Sequence, residues 1–226
     1  MQIPYVDIHT HKVNVEKKDK STIYLLNHQW HEPLPDHPYL CASLHPWSLP
    51  DSVEEGQQFL SQSFTNEQYI ALGEIGLDKK NESDWNTQHS HYIKALQFAK
   101  NNSVPVVVLH SVKAHAECIA GILNEKVESA IIFHDYYGSI QQTKEILSHN
   151  NFFISLGSIL KRPKSKLYEY IKDLPLDKVF LETDDSELSI EEVYSSFCLL
   201  TGRNIDEVKS SCYNNLMSIF PGTICD

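Results

Sequence analysis

The chain has 226 residues, 41% hydrophobic and 22% charged, with 8 Gly and 10 Pro, which excludes the disordered and fibrous classes. Its formal charge of −11, from 19 Lys and Arg against 30 Asp and Glu, is unfavourable for gripping duplex nucleic acid through many phosphate contacts. A few phosphates held through divalent cations remain compatible with it, because the ions supply the positive charge that the side chains do not.

Length fits one domain over residues 1–226, since α/β barrels commonly run to roughly 200 to 250 residues as one unit. No apolar stretch reaches the roughly 18 residues that span a bilayer. The first residues lack a basic segment followed by an apolar one, so a cytoplasmic location is expected, with no membrane association and no obligate protein partner evident. The five cysteines, Cys41, Cys118, Cys198, Cys212 and Cys225, are scattered and include no C-x-x-C pair. That argues against a disulfide framework and a thiolate zinc site and for buried thiols.

In chain order, Tyr5-Val-Asp-Ile-His-Thr-His11 reads as a short strand ending in His-x-His. Positions i and i+2 share a strand face, so His9 and His11 aim two imidazoles at one point. Asp7 falls on the same side, placed to orient a ligand. Two exposed histidines on a polar strand are the competing explanation.

Residues 14–20 read as a charged loop where a first barrel helix would stand. Residues 21–28 form a second strand, and the Pro- and His-rich piece at 29–38 a loop. A third strand, residues 39–44, is stopped by Pro46 and leaves His45 at its end beside Trp47. His45 either binds a substrate phosphate or packs the loop.

Residues 51–66 are expected to be helical, with Asp51 as N-cap and an apolar stripe of Val53, Phe59, Leu60 and Phe64. The apolar run from Tyr69 to Leu72 reads as a strand that Gly73 cuts off, leaving Glu74 at its C-terminal end. A long helix over residues 84–102 follows, burying Trp85, Ile93, Leu96, Phe98 and Ala99. Its Gln88 faces back toward the strand ends.

Residues 104–110 are apolar throughout, as in a parallel strand covered on both faces, and end in His110. After a helix at 113–126, residues 130–134 repeat the pattern and end in His134. A helix at 139–149 leads to a strand at 152–156. Lys161, Arg162, Lys164 and Lys166 then form a basic cluster, either a solvated helix start or a contact to backbone phosphates. A last strand, residues 178–184, ends on Asp184, and helices at 189–200 and 205–220 close the chain. About eight β-runs alternating with helices predict a TIM-type (β/α)8 barrel, somewhat reduced near its N-terminus.

His9, His11, Glu74, His110, His134 and Asp184 thus fall at five strand ends, where a barrel gathers its chemistry. Six N and O donors are too many for one ion and enough for two divalent ions bridged by a carboxylate, with Glu74 the candidate bridge. Such a donor set admits Mg, Mn or Zn.

The ordered motifs Asp7-Ile-His-Thr-His11, Leu44-His-Pro46, Gly73-Glu-Ile-Gly-Leu-Asp78, the strand-terminal His110, Phe133-His-Asp-Tyr-Tyr-Gly138 and Leu181-Glu-Thr-Asp184 resemble those of TatD-type metal-dependent hydrolases, within the amidohydrolase-like group. The resemblance implies one ion on His9, His11, Glu74 and Asp184. It implies a second, sharing Glu74, on His110 and His134. It also implies a divalent-metal nuclease acting on DNA or a small phosphodiester, with Glu74 and Asp184 activating a water. His45 is expected near a leaving or non-bridging oxygen.

Several substrate-facing positions depart from the family. Val112-Lys113 stands where the family has Arg, so Lys113 is the expected phosphate contact, as a point charge in place of a fork. Trp47 stands where the family usually has His. A lactonase, small-molecule phosphoesterase or cyclic amidase is the alternative, and a non-catalytic metal-binding protein a more remote one, since no ligand is missing.

Overall fold

The computed structural model describes residues 3–12 and 21–224; the expected loop at 14–20 and Cys225 lie outside them. Eight strands follow chain order through one sheet. They are β1 (Tyr5–Thr10), β2 (Thr22–Gln29), β3 (Leu40–Ser43), β4 (Tyr69–Asp78), β5 (Val106–Val112), β6 (Ala130–Phe133), β7 (Phe152–Leu156) and β8 (Val179–Leu181). The helices among the described residues are α1 (Val53–Ser63), α2 (Trp85–Asn101), α3 (His115–Glu125), α4 (Ile140–Leu147), α5 (Ile190–Thr201) and α6 (Ile205–Ile219).

The β1–β2, β3–β4, β4–β5 and β7–β8 ladders are parallel, and a parallel bridge between Thr10 and Asp184 joins the first strand to the end of the last. Parallel strands in sequential order with helical crossovers and first-to-last closure define a (β/α)8 barrel. The loop expected between β2 and β3 is present, since residues 30–39 contain no helix.

Residues group into two compact units. One comprises the described residues up to Leu26 and from Phe133 onward. Its interior holds Val6 and Ile8 of β1, Phe152 and Ile154 of β7, and Tyr194, Phe197 and Leu216 of the last two helices, all fully buried. The Tyr194 hydroxyl accepts from the Val6 N–H (3.2 Å) and donates to the Val6 carbonyl (3.1 Å), so a helical side chain satisfies the backbone of β1.

The other unit, Asn27–Ile132, is built on β4, whose ten residues are all buried. Continuous burial on both strand faces is the signature of a parallel sheet covered by helices, and Tyr92, Ala95, Leu96 and Ala99 of α2 are among the side chains that cover it.

Several element boundaries differ from the expectations. Ser52, and not Asp51, caps α1, its Oγ accepting from Glu55 N at 3.1 Å. The buried stripe of α1 is Gly56, Leu60 and Ser63, because small residues permit close approach where Phe59 and Phe64 remain half-exposed. In α2, Gln88, His91 and Tyr92 are buried along with Leu96, Phe98 and Ala99.

β4 does not stop at Gly73; it continues for five more residues, placing Glu74 inside the strand. The ladder to β5 shifts register between Leu72 and Ile75, and Gly76 takes a φ of +150°. A bulge and a glycine carry the chain past a point where most residues would break it. Likewise β5 runs two residues beyond His110. After β7, the basic cluster starts no α-helix. Pro163 and Pro175 interrupt the backbone ladder, leaving the short 3-10 turns Ser158–Lys161, Lys166–Glu169, Ile171–Asp173 and Leu176–Lys178. Lys161, Arg162, Lys164 and Lys166 are solvent-exposed.

Candidate functional site

In the first unit the site residues are stapled by backbone. Asp184 N donates to His9 O (3.0 Å) and His11 N donates to Asp184 O (3.2 Å), fixing the end of β1 against the turn after β8. Asp184 lies three residues beyond β8 with φ +53°, a left-handed conformation uncommon outside glycine and concentrated at functional sites.

The Nε2 atoms of His9 and His11 both face Asp184 Oδ1, at 3.5 and 3.4 Å. Those separations exceed a good hydrogen bond and match the roughly 3.4 Å edge of a tetrahedron of donors each about 2.05 Å from a zinc-sized ion. His134, the first residue after β6, adds a third imidazole: donor atoms of His9, His134 and Asp184 lie within 4.8 Å of one another, and the rings of His9 and His134 are 4.8 Å apart. Burial alone pushes the Asp184 carboxyl up, but the imidazoles of His11, His9 and His134 outweigh it and hold the group well below the usual carboxylate range.

Three supporting residues complete this half. Asp7, placed on the strand to orient a ligand, bonds to the turn that follows β8. It accepts from the Thr183 N–H (3.0 Å) and hydroxyl (2.7 Å), anchoring the turn that carries Asp184. Burial lifts its carboxyl to about 7 against these bonds. Glu182, fully buried, accepts from Asp135 N (2.5 Å) and from the Ser155 hydroxyl, with Oε1 3.9 Å from His134 Nδ1.

In the second unit, Glu74 is 2% exposed. Its Oε2 accepts from Asn27 Nδ2 at 2.8 Å, while Oε1 faces His45 Nε2 at 3.4 Å and His110 Nδ1 at 3.7 Å. Gly73 makes room for this arrangement: a Cβ there would sit 2.4 Å from Asn27 Oδ1 and 2.9 Å from Cys41 Cβ.

His110 lies between two acids, Glu74 at Nδ1 and Asp78 Oδ2 at 3.4 Å from Nε2. Burial lowers its pKa, yet Asp78 and Glu74 together raise it to about 9. The field that stabilises a proton there stabilises any cation, and carboxylate–imidazole–cation is a recurrent way to orient a ligating ring. Asp78 is in turn fixed by Trp47 Nε1 (2.7 Å) and Lys80 N (2.7 Å), and Gln88 of α2 holds its backbone by accepting from Asp78 N (2.8 Å) and donating to Asp78 O (3.2 Å).

His45 shares the face of Glu74 and His110, and all three offer donor atoms within 4.8 Å of one another. Its tautomer argues for another role. The Trp47 backbone N–H donates to His45 Nδ1 at 3.0 Å, so Nδ1 keeps the lone pair and the ring proton of neutral imidazole sits on Nε2. That N–H suits a hydrogen-bond donor better than a metal ligand. Lys113 is exposed beyond the end of β5 with φ +54°.

Asn27, Asp78, Glu182 and Thr183 were not anticipated. Asp78, Glu182 and Thr183 lie inside motifs whose other members are site residues, which was the available signal; Asn27 carries none.

The TatD related DNase family model matches residues 7–221. The chain belongs to this family. Among curated TatD-type relatives, it is 25% identical over 199 residues to an uncharacterized metal-dependent hydrolase, YjjV, of Escherichia coli, covering 80% of this chain and 76% of that protein. It is 30% identical over 155 residues to a protein of Erwinia tasmaniensis described as a 3'-5' ssDNA/RNA exonuclease TatD, covering 66% of this chain and 59% of that one.

The crystal structure of the E. coli TatD homologue YjjV superposes with a TM-score of 0.77 at 22% identity, over 97% of this chain and 98% of the other. A TatD family hydrolase from Entamoeba histolytica gives 0.75 at 14%, over the same shares. The chain is therefore a TatD family metal-dependent hydrolase with the family's barrel fold. No helix among the described residues is long and apolar enough to cross a membrane.

Proposed function

We propose that this protein is a two-metal phosphodiesterase of the deoxyribonuclease type, working as one catalytic barrel in the cytoplasm. His9, His11 and Asp184 would hold one divalent ion, His110 and His134 a second, and Glu74 would be shared. The observation that carries the reading is one oxygen of Asp184 facing two imidazole nitrogens at 3.4–3.5 Å, matched by one oxygen of Glu74 facing Nδ1 of the ligand candidate His110 at 3.7 Å. The imidazole and carboxylate donors suit Zn or Mn, and Mg, which prefers oxygen donors, would rely on Glu74, Asp184 and water.

Bound divalent ions supply Lewis acidity, lowering the pKa of water and offsetting charge on a phosphoryl group. The chain's own groups do the rest. Asp184, held in its charged form, accepts a proton from the attacking water. His45 presents Nε2–H to a leaving or non-bridging oxygen, and Lys113 supplies a positive charge for a neighbouring phosphate. The name of the Erwinia relative supports nucleic acid as substrate. The acidic surface favours a short single strand or a small phosphodiester over long duplex.

The test is Glu74→Ala against the parent on single-stranded DNA and bis(p-nitrophenyl) phosphate with Mg²⁺, Mn²⁺ or Zn²⁺, together with elemental analysis. Two ions per parent chain, fewer in the variant and loss of cleavage are expected. A variant that cleaves as well as the parent overturns the bridging role. A parent that hydrolyses lactones or cyclic amides but no phosphodiester overturns the substrate class.

A further inference from the structure

We propose that Trp47 is a stacking platform that selects substrates carrying an aromatic base next to the scissile phosphate; this rests on the phosphodiesterase reading above. Of the protein's three tryptophans, Trp30 and Trp85 are half-buried, while Trp47 is 60% exposed. An indole so placed forgoes much of the hydrophobic stabilisation that burial gives a large aromatic.

Trp47 is nevertheless held in one orientation. Its Nε1–H donates to Asp78 Oδ2, a carboxylate that is itself buried. The indole packs nearly perpendicular to two imidazoles, at 5.0 Å and 84° to His45 and at 5.7 Å and 75° to His110. Its backbone N–H sets the tautomer of His45. A flat apolar surface is therefore fixed beside the histidines that face Glu74, with its hydrogen-bonding atom already engaged and its exposed area left for a ligand.

A ring that is ordered before binding loses little rotamer entropy on contact. Every nucleobase has a π face, so stacking on such a ring is tolerant of sequence and contributes about 1–3 kcal/mol per base. The bound species is thus a nucleotide unit whose base lies against the indole while its phosphate reaches the side chains around Glu74. A phosphodiester lacking a base forfeits that contact.

The experiment compares parent, Trp47→Ala and Trp47→Phe, loaded with Mn²⁺, on matched single-stranded oligonucleotides with a normal or an abasic residue at the scissile position. The quantity read is the ratio of kcat/KM with the base to kcat/KM without it. The expected result is a drop in this ratio of about 5- to 150-fold in Trp47→Ala, the factor equivalent to 1–3 kcal/mol, with most of it retained in Trp47→Phe. An unchanged ratio overturns the proposal even if both substrates are cut more slowly, since a structural defect lowers both alike.

Calorimetric binding of the dinucleotide pTpT provides the second readout, with folding of each variant checked by circular dichroism. Weaker binding by Trp47→Ala than by Trp47→Phe supports the platform, and equal binding by all three proteins refutes it. If the parent binds pTpT through Trp47 but cleaves no oligonucleotide, the nuclease reading fails while the platform stands.

Discussion

Replacing Tyr194 with Phe removes one oxygen and orphans two backbone groups. The hydroxyl accepts from Val6 N and donates to Val6 O, and both residues are fully buried, so no water is at hand to take its place. An ordinary lost hydrogen bond costs about 1 kcal/mol, whereas each buried polar group left unsatisfied costs about 1–3 kcal/mol. With an N–H and a C=O both stranded, Tyr194→Phe should destabilise the protein by about 3 kcal/mol or more. In urea, with an m-value of about 2–3 kcal/mol/M for a chain of this size, the unfolding midpoint followed by tryptophan fluorescence should fall by about 1 M at an unchanged slope. Because Val6 precedes His9 on β1 and His11 directly follows that strand, zinc affinity measured by competition with a chromogenic chelator should fall as well. A midpoint shift below about 0.3 M would mean that the Val6 backbone finds other partners, and the role given to the hydroxyl would be wrong.

Other perturbations have equally definite outcomes. A Cβ at Gly76 would lie 1.9 Å from His110 O, so Gly76→Ala must part β4 from β5; it should cost several kcal/mol and give a melting temperature at least about 5 °C lower by calorimetry. Asn27→Ala removes the donor to Glu74 Oε2 and should weaken metal binding about 10- to 100-fold with folding preserved, as read by metal titration; unchanged affinity would exclude Asn27 as a support of Glu74. Burial lifts the thiols of Cys41, Cys118 and Cys212 from 9.0 to about 12. A folded-state pKa above the unfolded value means stability intact below pH 9 and lost as pH rises from 9 toward 12, at up to about 1.4 kcal/mol per unit for each thiol. Urea midpoints should therefore fall steeply above pH 9, and less steeply in Cys212→Ala. Peptide mapping after iodoacetamide treatment at pH 8 should find Cys198, which is partly exposed, modified ahead of these three.

The barrel was legible because its signals are periodic and local. Strands covered on both faces read as unbroken apolar runs, as in residues 106–109, and the helices announce themselves through apolar stripes such as Leu96, Phe98 and Ala99. What misled were glycine and proline. Gly73 looks like a strand terminator, but here the missing Cβ admits Asn27 and Cys41 and the strand runs on. The basic run after β7 looks like a helix start, yet Pro163 cannot continue a helix and the segment settles into short turns. In both places the outcome depends on what packs against the residue, which spacing along the chain does not encode.

The same division holds at the site. Ligand-type residues were visible because imidazoles and acids at the ends of apolar runs are conspicuous: His9, His11, Asp184 and His134 adjoin one another in one unit, as do Glu74, His45 and His110 in the other. The contacts that fix their orientation were not visible, since Asn27 sits 47 positions before Glu74 and Asp7, singled out only for its place beside His9, reaches 176 positions along the chain to Thr183. Such partners are chosen by which strands lie side by side, a property of topology. The tautomer of His45 is different in kind: it follows from a contact two residues away, Trp47 N to Nδ1, and a Pro at position 46 already predisposes a tight turn there. That local turn separates His45 chemically from the imidazoles around it. A histidine whose Nδ1 is occupied by its own loop carries its proton on Nε2, beside Glu74 Oε1, so among Glu74, His45 and His110 the chain itself marks out the one suited to meet an oxygen of the substrate.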